Sequence, residues 1–132
     1  MSQKNVETVR GVYEEWAKGN LRDGVGLLDP HVVLVLRPDF PDAGTYLGVE
    51  GVRGYTRHLL MPWTGLTITA EELMEAGDTV VVAVHQRAVG EESGIPVELR
   101  YFMLWTFRGG LVVRLESVRD RADALAAAGL SG

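Results

Sequence analysis

The sequence predicts a segregated α+β domain in which helices cover one face of a bent, mostly antiparallel sheet. Three observations carry this expectation. Apolar residues recur at helical spacing near the start and again in the middle, the spacing changes to two from residue 66 onward, and an alanine-rich tract closes the chain. With 132 residues and 46% hydrophobic content, residues 1–132 are the size of one domain with one core.

In "NVETVRGVYEEWAKGN" the residues Val6, Val9, Val12, Tyr13, Trp16 and Ala17 fall on one helical face, and Gly19 follows Lys18 as a stop. "LRDGVGLL" continues as a short second helix with Leu21, Val25 and Leu28 on one side, ended by Asp29-Pro30 and weakened by its glycines. "HVVLVLR" is a β-branched run of strand length, and "PDFPDAG" reads as a loop. "GVEGVRGYTRHLLM" is a further helix, with Val49, Val52, Tyr55, Leu59 and Leu60 inward and Pro62 ending it. Four long strands follow, "LTITAEELMEAG", "DTVVVAVHQRAVG", "VELRYFMLWTFRGG" and "LVVRLESVR", joined by turns short enough to imply an antiparallel meander. In the tail "DRADALAAAGL", Asp120 and Asp123 stand in a capping arrangement before a terminal helix, so Asp120 reads as structural.

Alternation assigns the faces. Val97, Leu99, Tyr101, Met103, Trp105 and Phe107 form an apolar row that belongs under the helices, as do Val80, Val82, Val84 and Gln86. In the last strand the same test selects Leu111, Val113, Leu115, Ser117 and Arg119. For the first strand two registers stay open: His31, Val33, Val35 and Arg37 inward, or Val32, Leu34 and Leu36. The opposite face carries an apolar centre of Val81, Ala83, Phe102 and Leu104, rimmed by His85, Arg87, Arg100 and Arg114. Such a patch predicts a homodimer packed through the sheet.

Composition excludes several classes. A net charge of −5 with scattered basic residues gives no stripe for a nucleic acid. There are no cysteines, and the three histidines, His31, His58 and His85, are too dispersed for a metal cluster, so neither a metal nor another cofactor is called for. No apolar window is long enough for a membrane, and the polar, amphipathic start does not read as a signal peptide, which makes the cytoplasm the expected location.

The inner row contains polar groups that core filling does not require. Gln86, Tyr101, Ser117 and Arg119, with Trp105 beside them, converge with Tyr13 and Trp16 from the first helix and with Arg37 and Asp39 from the loop, the pattern of a small-molecule pocket. Tyr101 and Trp105 also read as core aromatics with local partners, and His58, late in its helix, as a solvated flank. Gln86 is the hardest to dismiss, because its amide needs both donor and acceptor partners if buried.

These residues resemble the SnoaL-like polyketide cyclases, within the nuclear-transport-factor-like superfamily that also holds limonene epoxide hydrolases and ketosteroid isomerases. "VRGVYEEWAKGN", "YLGVEGVRGY", "AGDTVVVAVHQRAVGEESG" and "FRGGLVVRLESVRDRADALAAAGL" carry the resemblance over nearly the whole chain. It implies a cone, a strongly curved sheet with helices packed on its concave face around a deep apolar pocket, commonly in dimers. The epoxide hydrolases' Arg-x-Asp falls on Val84-His85-Gln86 and their second carboxylate on Ser117, so that water-activating pair is missing. The isomerase base falls near Val35, again unmatched.

The expected function is a cyclase or isomerase acting on an apolar, oxygenated, polyketide- or steroid-like substrate. Asp39 is then the proton acceptor and His58 a reserve base, with Tyr13, Trp16, Arg37, Val84, Gln86, Leu99, Tyr101, Leu115, Ser117 and Arg119 binding the substrate. The alternative is a non-catalytic ligand-binding or accessory homodimer.

Overall fold

The apolar spacing of the first segment does form a helix, α1 (Ser2–Ala17), in a computed structural model that describes residues 2–20, 24–40, 43–60 and 63–130. Val9, Val12 and Tyr13 are buried and Trp16 half-buried, whereas Ala17, expected on the same face, is exposed. Gly19 ends the helix at φ 97°, with its N–H on the Trp16 carbonyl and that of Asn20 on the Glu15 carbonyl, both at 3.0 Å. That left-handed turn satisfies two carbonyls the helix would otherwise leave unpaired.

The short second helix is replaced by a single 3-10 turn, Val25–Leu27, and the strand β1 (Leu28–Leu36) starts three residues earlier than its β-branched run suggested. Leu21, at the start of that expected helix, lies outside the described residues. A four-residue strand absent from the sequence reading, β2 (Gly44–Leu47), pairs antiparallel with β1 before α2 (Gly48–Leu60) begins. Val49, Val52 and Tyr55 of α2 pack on the core as expected; Pro62 and the side chains of Leu59 and Leu60 lie outside what is described. The strands β3 (Trp63–Ala76), β4 (Thr79–Gly90), β5 (Pro96–Arg108) and β6 (Leu111–Val118) form the meander, and α3 (Arg121–Ala127) follows.

The sheet has six strands in the order β2-β1-β6-β5-β4-β3, antiparallel except for the β1 and β6 pair. It is curved, and α1 and α2 pack on its concave face, α1 against β3 and β4 and α2 against β1 and β2. One core fills the space between, with Trp105, Val32, Val80, Val82, Val84 and Val112 at its centre.

Of the register shifts in the sheet, which also fall between Leu28 and Val33 and between Thr64 and Thr67, two are single-residue bulges that reset the alternation beside the core. In β3, Ala70 pairs with Val84 and Glu72 with Ala83, so Glu71 is the extra residue. In β6, Arg114 pairs with Thr106 and Val112 with Phe107, which makes Val113 the extra one. An inserted residue flips the parity of everything beyond it. Hence fully buried Val112 fills the concave core, not Leu111 or Val113 as strict alternation requires, while Leu115 and Ser117 keep their expected side.

Asp120 caps α3 by accepting the Ala122 N–H at 3.1 Å, and α3 docks on the convex face. There Ala124 and Val118 bury Val81 and Leu104, so these two, expected in a subunit contact, are already covered within the protomer. Ala83 and Phe102 remain half-buried, and the Arg121 guanidinium lies 5.9 Å from the centre of the Phe102 ring while pairing with Glu72.

Candidate functional site

The first strand's open register is resolved by burial. Val32, Leu34 and Leu36 face the core at 0%, 3% and 4% exposure, and His31, Val33 and Val35 do not. This choice decides the fate of two expected site residues. Arg37, next in the outward row, pairs with Glu116 at 2.9 Å and does not line the concave face. The turn after it is closed by the Phe40 N–H on the Arg37 carbonyl at 3.0 Å, and it sends Phe40 inward while Asp39 stays exposed beside it. Phe40 was missed in the sequence; a lone aromatic inside "RPDFPD" was the available signal.

On the concave face the remaining residues fall into two groups. Tyr13, Trp16 and Trp105 form an aromatic cluster between α1 and β5, with ring centres 4.7 to 5.8 Å apart. Within it the Trp105 Nε1–H donates to the Tyr13 hydroxyl at 3.1 Å. The second group lies four residues along β5, about 13 Å of strand. Here the Tyr101 hydroxyl donates to Gln86 Oε1 at 3.0 Å, and the Phe40 ring meets Tyr101 edge-on at 5.7 Å. Leu99 lies opposite Gln86 and Val84 opposite Tyr101, with Ser117 and Leu115 on the neighbouring strand. Val84, Leu115 and Ser117 are buried; the Ser117 hydroxyl turns to Met103 Sδ at 3.5 Å.

Burial pushes both phenols up. Tyr13 stands well above its ordinary range because of desolvation, with a further rise from Tyr101 that the Trp105 hydrogen bond partly opposes. Tyr101 is raised by desolvation and then by Tyr55, which α2 brings toward it and which stacks on Tyr46 at 5.0 Å. Both are therefore neutral hydrogen-bond donors across the physiological range. The Tyr101 hydroxyl occupies the Gln86 carbonyl oxygen, so the two amide N–H groups of Gln86 are the donors available to a bound molecule.

His58, the second expected catalytic residue, is exposed on α2. Among the described residues no Asp, Glu or His is buried, and no group of three potential metal ligands occurs. The convex face carries the charges instead: Glu71 and Glu98 bracket Arg100, and His85 Nε2 lies 3.0 Å from Glu98, close enough for an ion pair but not aligned as a hydrogen bond. Arg119, expected as the last of the inner row, lies just beyond β6 and is exposed, with its guanidinium carbon 5.8 Å from the centre of the Phe40 ring.

A family model described as a SnoaL-like domain matches residues 9–115. Among solved structures, a nuclear-transport-factor-2-like protein of unknown function from Burkholderia pseudomallei K96243 is 26% identical, with 92% of this chain and 95% of that one covered at a TM-score of 0.74. A protein named as a SnoaL-like polyketide cyclase from Jannaschia sp. CCS1 is 20% identical over 99% of this chain and 95% of its own, at a TM-score of 0.75. TerC, co-crystallised with polyporic acid, is 23% identical over 95% and 98%, at 0.73. The latter two likenesses are of fold. No curated protein matches the chain.

Proposed function

The chain belongs to the SnoaL-like domain family, and from that premise we propose that it is a small-molecule enzyme of the cyclase or isomerase type, acting on an apolar, oxygen-bearing substrate held against the concave face. The observation that carries the reading is the Tyr101 to Gln86 hydrogen bond set in an otherwise apolar wall. A donor to Oε1 polarises the amide, and its N–H groups then stabilise an oxygen on which negative charge develops. Asp39, one residue from the Phe40 ring that touches Tyr101, takes the proton from the carbon beside that oxygen. His58 on α2 is the reserve base. TerC, of similar fold and co-crystallised with polyporic acid, is in keeping with this reading.

One observation favours a second reading, a ligand-binding dimer without chemistry: among the described residues no Asp, Glu or His is buried. Incubation with polycyclic ketones, poly-β-ketone esters and epoxides, followed by mass spectrometry, separates the two. Under the enzyme reading a product of unchanged mass or one lacking water forms, Asp39→Asn abolishes it, and Gln86→Leu slows it about 100-fold. Binding without product, unaffected by Asp39→Asn, establishes the accessory reading instead, and gain of water from an epoxide overturns both. A homodimer through Ala83 and Phe102 on the convex face and a cytoplasmic setting belong to this proposal.

A further inference from the structure

We propose that the open end of the concave face selects an organic anion, an apolar ligand whose acidic oxygen is held by Arg119. This rests on the reading that the concave face binds a small molecule. The β5 and β6 ladder ends at Phe102 with Val118, and Arg119 follows in a bend just ahead of the Asp120 cap of α3. Its guanidinium then rests over Phe40, whose other contact is Tyr101.

Arg119 thus closes a short path of cation, ring, phenol and amide. Among the described residues it makes no ion pair, as is true of Arg57, Arg87 and Arg108, whereas Arg37, Arg100, Arg114 and Arg121 are each paired with a glutamate on the convex side; of the four unpaired arginines Arg119 is the one placed over a ring of the concave core. A guanidinium placed over an aromatic ring, its carbon 5.8 Å from the ring centre, can still present N–H groups to a carboxylate, sulfonate or acidic enol. The Gln86 amide N–H groups nearby are the donors such an anion can meet, the Tyr101 hydroxyl being already engaged with Gln86 Oε1, and no Asp or Glu among the described residues is buried.

The test compares two fluorescent probes with the same ring system, anilinonaphthalene sulfonate and neutral phenylnaphthylamine, titrated into the full chain, with tryptophan quenching as a second readout near Trp16 and Trp105. The wild-type protein is expected to prefer the sulfonate. Arg119→Gln is expected to weaken the sulfonate about tenfold, leave the neutral probe unchanged, and keep the melting temperature of the exposed position's parent; Arg119→Lys restores part of the preference. A preference that survives Arg119→Gln, or equal binding of both probes by the wild type, overturns the anion assignment while leaving the concave site intact. Failure of both probes to bind overturns the site and this inference together.

Discussion

The Trp105 indole N–H of β5 donates a 3.1 Å hydrogen bond to the Tyr13 hydroxyl of α1, and both residues are 2% exposed. This contact ties the first helix to the middle of the sheet through 92 residues of sequence separation. Tyr13→Phe keeps the ring packing but strands a buried donor. The expected cost is about 2 kcal/mol, read as a fall of roughly 6–8 °C in melting temperature. An unchanged melting curve would show that the indole finds another acceptor.

Alkaline titration reads the two buried phenols. Tyr13 and Tyr101 both have folded-state pKa values above the ordinary 10.0, first through burial. Their neutral forms therefore contribute stability that is complete below about pH 10 and is lost as pH rises through the folded-state values. Phenolate absorbance should show two of the four tyrosines ionising only as the fold opens. Four tyrosines titrating reversibly in the native protein would contradict the burial of this wall.

Asp120 can be tested as a cap. Its carboxylate accepts the Ala122 N–H at 3.1 Å in the first turn of a seven-residue helix. Asp120→Ala is expected to cost about 1 kcal/mol in urea unfolding, with Asp120→Ser close to wild type and turnover of any confirmed substrate unaffected. Loss of turnover with stability intact would move Asp120 from structure to chemistry.

The convex face makes a prediction about assembly. Ala83 is half-buried beside Phe102 and opposite Glu72, so a lysine there finds a local acidic partner in the protomer but places a charge in a sheet-to-sheet contact. Sedimentation at micromolar concentration should show a wild-type dimer and an Ala83→Lys monomer. A monomeric wild type means that α3 already covers what the face needs covered.

Much of the fold was legible because its signals are local. In β4 and β5 neither strand is bulged against the other, so alternation placed Val80, Val82, Val84, Gln86, Tyr101 and Trp105 on the correct face. The first helix's inner face and the Asp120 cap were read the same way, save for Ala17. Of the candidate site, Gln86 and Tyr101 were legible and do meet, as do Tyr13, Trp16 and Trp105.

By itself the sequence determined the types of the long elements, though neither the 3-10 turn Val25–Leu27 nor β2, together with the two periodicities and the aromatic and amide groups of the inner row. Only the tertiary structure decided the bulges at Glu71 and Val113, the inward register of Val32, Leu34 and Leu36, the docking of α3 on the convex face, and the choice of Phe40 over Asp39 as the residue turned inward. The physical reason is range. A side chain's alternation depends on its neighbours in the chain, but which face of β1 is buried depends on its pairing with β6, Leu36 beside Ser117, and no local pattern in a run as apolar as "HVVLVLR" distinguishes the two sides.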